Sequence, residues 1–194
     1  MSEPETLDAE RCQRRAVLGG AVGLGIGLAL WPAARAAAAD PTTTRPQPGD
    51  RFVYLSGAKK GEVVRSEDLA PGDPQVLVYP MDPATNTPRS GSRLNQVLLV
   101  RLDSEQLSEE TRAHAADGVV AYSAVCTHQG CPVNMWKKDA GTLYCSCHGS
   151  QFDPKDGAKV LDGPAPRRLA TLPVKIEDGL VVAAGEFSGR VGFK

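Results

Sequence analysis

Two short segments hold four of the five cysteines and two of the three histidines of this 194-residue chain. They read Cys-Thr-His-Gln-Gly-Cys at residues 126–131 and Cys-Ser-Cys-His-Gly-Ser at residues 145–150. Packing alone does not concentrate these residue types, whereas thiolates and imidazoles are side chains that bind iron and zinc. Two loops that each offer a cysteine and a histidine can close one metal site. The fold therefore has to bring these two segments together.

A Cys2His2 zinc site is the simplest structure that these residues could form. It would use four of them but leave Cys131 and Cys147 without a role. The spacings C-x-H and C-x2-H also differ from the paired C-x2-C element of common zinc modules. Zinc is therefore the less favoured alternative.

Both segments resemble the ligand motifs of the Rieske iron–sulfur proteins, C-T-H-x-G-C and C-x-C-H-G-S. Sixteen residues separate His128 from Cys145, as in that family. The motif Gly163-Pro164-Ala165-Pro166 resembles the proline loop that closes over the Rieske cluster. The resemblance is strong over about residues 119–169 and weak elsewhere.

The resemblance implies a [2Fe–2S] cluster with two different ends. Cys126 and Cys145 would hold one iron, and His128 and His148 the other. Neutral imidazoles in place of two thiolates remove negative charge, which raises the reduction potential to about −150 to +300 mV. Cys131 and Cys147 would form a disulfide that ties the two loops together, and such a bond persists outside the reducing cytoplasm.

Four further residues are expected to tune the cluster. Gly130 and Gly149 would let backbone amides approach its sulfurs, although ordinary turn glycines are an equal alternative. In the Rieske proteins of cytochrome bc complexes a serine and a tyrosine two positions later both donate hydrogen bonds. Here Ser150 matches the serine, but Phe152 replaces the tyrosine. The potential should therefore lie below that of relatives with both donors, unless Phe152 is only a core residue.

The first 39 residues resemble an export signal. Arg14 and Arg15 precede an apolar stretch from Ala16 to Trp31, which is the pattern of a twin-arginine signal for folded proteins. An uncleaved membrane anchor is the alternative, although sixteen residues fall short of the roughly 20 needed to span a bilayer. Both interpretations place the protein in the periplasm or at the periplasmic face of the inner membrane.

Residues 40–50 contain three prolines and no hydrophobic residue, which predicts a semi-extended linker before a domain at 51–194. Short β-rich runs separated by Gly, Pro and Asp indicate an antiparallel all-β domain with a cluster-binding subdomain. Asp178-Gly179 predicts a hairpin between residues 174–176 and 180–182. A polar stretch at 104–116 could be a short helix capped by Ser108, or a loop. The predicted strands are Val76–Tyr79, Gln96–Leu102, Gly118–Ser123, Gly141–Tyr144, Ala170–Ile176 and Leu180–Ala184.

The sequence excludes several function classes. A formal net charge of −1 gives no basis for nucleic-acid binding. A ring-hydroxylating oxygenase needs a second iron held by two histidines and a carboxylate, and only His114 remains. The chain is thus expected to carry electrons rather than to be a complete enzyme.

Two kinds of assembly remain open for an electron carrier of this type. The residues before the first motif and the missing tyrosine resemble the small subunit of arsenite oxidase, which favours a subunit docked on a larger molybdopterin enzyme. Ser150 and the proline loop instead resemble the quinol-oxidising Rieske subunit of a cytochrome bc complex, where the partner would be cytochrome b. In that class the exposed edges of the ligand histidines bind quinol. Either assembly would pass electrons to a cytochrome c or a similar acceptor.

Overall fold

Short antiparallel strands dominate the part of the chain that the computed structural model describes, residues 40–193. The predicted signal or anchor, with Arg14 and Arg15, lies outside these residues. One short helix, α1, spans Glu109–Arg112. The strands are β1 Arg51–Tyr54, β2 Val76–Asp82, β3 Thr87–Pro88, β4 Val97–Arg101, β5 Val119–Ser123, β6 Met135–Lys137, β7 Thr142–Tyr144, β8 Gln151–Asp153, β9 Lys159–Asp162, β10 Val174–Glu177 and β11 Leu180–Ala183.

The larger sheet forms the base of the domain. Its strand order is β10-β11-β1-β2-β4-β5, with β3 added beside β2, and every pairing is antiparallel. The predicted hairpin is confirmed, because Glu177 pairs with Leu180 and both Asp178 and Gly179 have positive φ. The predicted antiparallel all-β class is confirmed as well.

Strands β4 and β5 are buried on both faces, and this position links the base to the site. Leu98 and Val100 pack into a core that continues to the smaller sheet, whereas Val97 and Leu99 pack into the core of the base. A strand covered on both sides needs apolar residues at consecutive positions, which explains the unbroken run in β4. Each fully buried Val or Leu contributes about 1.5–3 kcal/mol to folding.

The smaller sheet is a meander of four strands in the order β6-β7-β8-β9. The first Cys–His loop (residues 126–131) lies between β5 and β6, and the second Cys–His loop (residues 145–150) connects β7 to β8. Strands β6, β7 and β8 have only three residues each. This sheet, with its two loops, corresponds to the smaller subdomain that the sequence predicted.

A buried hydroxyl fastens this subdomain to the base. Tyr122 in β5 is fully buried and donates a 2.8 Å hydrogen bond to the carbonyl of Pro154, just after β8. Burial raises the pKa of the Tyr122 phenol, so the group stays a neutral donor. Ser108 caps α1, which is the helical one of the two alternatives predicted for residues 104–116, and the Oγ1 of Thr111 accepts a 2.8 Å bond from the Gly157 amide.

Residues 40–50, predicted as a linker, make ordered contacts with the base. The carboxylate of Asp50 pairs bidentately with Arg89, at 2.6 and 2.8 Å, and both side chains are buried. Asn95 donates a 2.8 Å bond to the carbonyl of Thr44. These contacts hold the segment against the loop that precedes β4.

None of the helices within residues 40–193 combines the length and the apolar character that crossing a bilayer requires.

Candidate metal centre

The two Cys–His loops have the same backbone hydrogen bonds. In the first loop, the Cys126 amide donates to the Cys131 carbonyl at 2.8 Å, and the Gly130 amide donates to the Cys126 carbonyl at 2.9 Å. In the second loop the matching bonds are Cys145 to Ser150 at 2.9 Å and Gly149 to Cys145 at 3.1 Å. The two segments are therefore two copies of one closed loop, each beginning with a cysteine.

Gly130 and Gly149 allow this loop shape. Their φ angles are +74° and +82°, in the left-handed region that residues with a Cβ rarely adopt. A Cβ on Gly149 would meet no protein atom within 4 Å, so backbone conformation, and not crowding by protein, accounts for this glycine.

A disulfide joins the last residue of the first loop to the third residue of the second loop. Cys131 and Cys147 are bonded across 16 positions of sequence, with their Cα atoms 6.5 Å apart. The Sγ atom of Cys145 lies within 4.8 Å of both bonded sulfurs. Because two of these three sulfurs are consumed by the disulfide, the trio is not a separate metal site. The predicted pairing is confirmed.

The four predicted ligands lie on the facing sides of the two loops. Cys126 and Cys145 are free cysteines, each 1% exposed, and they interact with one another. Burial raises the pKa of the Cys145 thiol, because desolvation disfavours the thiolate. The His128 and His148 rings meet edge to face, with centroids 4.6 Å apart. Two sulfur donors and two nitrogen donors are therefore available together.

The histidines differ in their exposure to solvent. His148 is exposed, whereas His128 is half-buried. The Nδ1 atom of His128 is fully buried and has no hydrogen-bond partner among residues 40–193. The third histidine, His114, lies after α1 and has no part in this arrangement.

The proline loop (residues 163–166) is attached to the second Cys–His loop. The Oγ of Ser150 accepts a 3.2 Å bond from the Ala165 amide, and both residues are buried. Gly163 packs directly on that loop, because a Cβ there would lie 2.6 Å from the Ser150 Cα. Pro164 and Pro166 are exposed, as is His148.

Thr127, which has no role in the sequence prediction, links the first Cys–His loop to the residue that follows the proline loop. Its hydroxyl donates a 2.5 Å bond to the Arg167 carbonyl, and its side chain is 1% exposed. Thr127 lies between the predicted ligands Cys126 and His128. A polar residue at that position is the sequence signal that could have indicated its role. Arg93, whose guanidinium donates to the Gly130 carbonyl, was also missed, because it is 37 positions away in sequence.

Phe152 is fully buried in β8. It packs in the same core as Cys126 and Cys145, together with Leu143. This apolar floor lies beneath the two cysteines and excludes water from them.

Comparison with known proteins identifies similar chains. A family model for the Rieske [2Fe–2S] domain matches residues 60–173, more than half of the chain. A putative respiratory nitrate reductase subunit Rieske from Haloferax mediterranei is 37% identical over 151 residues, which cover 77% of this chain and 64% of the relative. The cytochrome bc1 complex Rieske iron-sulfur subunit of Streptomyces lividans is 36% identical over 98 residues, which cover 50% of this chain and 58% of the relative.

The matches thus span less than two thirds of the length of each of these relatives. Among solved structures, the cyanobacterial plasma membrane Rieske protein from Synechocystis PCC 6803 is 29% identical, with a TM-score of 0.36. That match covers 55% of this chain and 84% of the other.

Proposed function

The chain belongs to the Rieske [2Fe–2S] domain family, and from this premise we propose that it is a one-electron carrier. Its [2Fe–2S] cluster would be held by Cys126, Cys145, His128 and His148. The observation that supports this ligand set is the meeting of two disulfide-linked loops of identical backbone pattern, each presenting one cysteine and one histidine.

The residues present fit such a cluster. A buried imidazole nitrogen without a partner is destabilising, and His128 Nδ1 is such an atom within the described residues. Ligation of iron by that nitrogen would remove the penalty. Two buried, unbonded cysteines beside the histidine pair supply the remaining donors. When bound, the cluster supplies one-electron exchange at a potential raised by its two neutral ligands.

The surrounding side chains would position and shield the ligands. The apolar floor made by Leu143 and Phe152 keeps water from the cysteine side, which strengthens electrostatic interactions there. Ser150 accepts from Ala165, so its hydroxyl proton remains available to donate toward the cluster. The exposed ring of His148 leaves one edge of the site open to a redox partner.

The proposed setting is a larger exported oxidoreductase complex. The similarity to the Haloferax subunit covers more of the chain than the similarity to the Streptomyces subunit, 77% against 50%, which favours a subunit docked on a large redox enzyme. The finer assignment, a subunit like the arsenite oxidase small subunit, rests on Phe152 and on the residues before the first loop. The same proposal includes export directed by Arg14 and Arg15. It also divides the chain into a signal or anchor at residues 1–39, a linker at 40–50 and a domain at 51–194.

A quinol-oxidising subunit of a cytochrome bc complex is the second candidate. Ser150 and the proline loop support it, as does the similarity to the Streptomyces subunit. A neighbouring gene for a molybdopterin subunit would favour the docked subunit, whereas one for cytochrome b would favour the bc complex.

The ligand set is tested with purified protein. After anaerobic reduction with dithionite, we expect about two irons per chain and a paramagnetic signal with g values below 2. Cys145→Ser and His148→Ala should abolish this signal, whereas the matched control His114→Ala should retain it. Colourless protein that contains zinc, or a full signal in the ligand variants, would contradict the proposal.

A further inference from the structure

We infer that Arg93 is a positioning residue that raises the reduction potential of the cluster through the first Cys–His loop. The inference rests on the proposed cluster ligation and adds a residue that no motif of the family resemblance includes. Arg93 begins the 3-10 turn Arg93–Asn95, immediately before β4.

The contact joins a cation to the backbone of the ligand loop. The Nη2 atom of Arg93 donates to the carbonyl of Gly130, which is itself buried. Gly130 lies two positions after His128, and its amide donates to the Cys126 carbonyl at 2.9 Å. The guanidinium is thus bonded to the short stretch of chain that connects two proposed ligands to the disulfide.

The turn that carries Arg93 is held in place from several directions. The Oγ of Ser92 accepts from the Leu94 amide at 3.3 Å, and Arg45 donates to the Leu94 carbonyl at 3.0 Å. Asn95, fully buried, donates to the carbonyls of Thr44 and Arg89 at 2.8 and 3.1 Å. These bonds fix the backbone next to Arg93, and from that position its guanidinium reaches the Gly130 carbonyl.

Within residues 40–193, the equivalent glycine of the second Cys–His loop has no matching contact. A Cβ on Gly130 would lie 3.2 Å from the Arg93 Nη2, whereas one on Gly149 would meet no described protein atom within 4 Å. The two loops are alike in their backbone bonds and differ in this cation. Arg93 therefore acts on the first Cys–His loop and not on the second.

The direction of the effect follows from charge. A guanidinium stays protonated at any working pH, and one-electron reduction makes the cluster more negative. A nearby cation stabilises the reduced form, and its hydrogen bond polarises the peptide between Gly130 and Cys131. Arg93 is exposed, so solvent screens part of the interaction and the shift will be moderate.

The test compares midpoint potentials of cluster-loaded protein at one fixed ionic strength. Arg93→Gln and Arg93→Met should each lower the midpoint potential by about 28 mV or more. For one electron this corresponds to at least a threefold change in the equilibrium constant for reduction. Arg93→Lys, which keeps the charge, should shift the potential by less than half as much. Arg101→Gln is the matched control, because it removes the same charge at the far end of β4.

Hydrogen exchange of the amides in residues 126–131 accompanies each titration. We expect faster exchange in the neutral Arg93 variants and wild-type exchange in Arg101→Gln. An equal shift in potential for Arg93→Gln and Arg101→Gln would overturn the inference, because net charge would then suffice. Failure of both neutral variants to bind the cluster while Arg101→Gln binds it would overturn it too, in favour of a role in assembly.

These outcomes are separate from a failure of the proposed function. If the wild-type protein binds no [2Fe–2S] cluster, the ligand set is wrong and the inference fails with it. If wild-type protein and all variants carry the cluster at one potential, only the role of Arg93 is wrong.

Discussion

Replacement of Gly163 by alanine tests how closely the proline loop has to pack on the second Cys–His loop. Gly163 has a φ of +85°, and a Cβ there would lie 2.6 Å from the Ser150 Cα, 2.7 Å from its nitrogen and 2.9 Å from the Gly149 carbonyl carbon. All three atoms belong to the backbone, so no side-chain rotation can relieve the overlap.

The loss of folding stability expected for Gly163→Ala has two parts. The left-handed conformation is unfavourable by about 1–2 kcal/mol for a residue with a Cβ. Overpacking adds about 1–3 kcal/mol, because the proline loop must move away from Ser150. That movement also stretches the 3.2 Å bond from the Ala165 amide to the Ser150 hydroxyl.

Gly61→Ala separates the two parts. Gly61 has the same φ of +85°, but a Cβ there would meet nothing within 4 Å. We therefore expect the thermal midpoint of Gly163→Ala to fall about 2–12 °C further than that of Gly61→Ala. Circular dichroism follows unfolding, and visible absorbance follows loss of the cluster. Equal decreases in the two variants would refute the reasoning, because strain in φ alone would then explain both.

Two further substitutions probe the floor of the site and its attachment to the base. Tyr122→Phe should destabilise the protein by about 1–3 kcal/mol, because it leaves the Pro154 carbonyl buried without its 2.8 Å donor. Thermal unfolding measures this against Tyr144→Phe, which keeps a half-buried ring beside Lys137 and should change little. Phe152→Tyr should raise the midpoint potential by roughly 40 mV, equivalent to about 1 kcal/mol for one charge-assisted hydrogen bond. An unchanged or lower potential in a redox titration would show that Phe152 serves only the core.

The domain contains two hydrophobic cores that share strands β4 and β5. This arrangement supports the candidate metal centre from below. Alternate residues of β4 and β5 enter the base core and the core beneath the Cys–His loops. A cavity on either side would therefore disturb strands that both cores use. The two Cys–His loops are held further by the disulfide and by the hydrogen bonds of Ser150 and Thr127.

Six of the strands were predictable because their residues carry a local pattern. The apolar run of β4 and β5 and the Asp178-Gly179 turn of the last hairpin are examples. Strands β6 and β8 were not predicted, since three residues are too few to show an alternation. Strand β1 was also missed, because its four residues give no turn signal of their own.

The sequence by itself determined the proposed chemistry, since the proposed ligand types, their spacing and the spare cysteine pair are all local features of residues 126–131 and 145–150. It also determined the antiparallel class, because strand and turn preferences act between near neighbours. Only the tertiary structure decided which distant groups support the site. Three contacts join segments that are remote in sequence: Gly163 with Ser150, Arg167 with Thr127, and Arg93 with Gly130. Their formation depends on how the two sheets pack, and no local pattern in the chain encodes that arrangement.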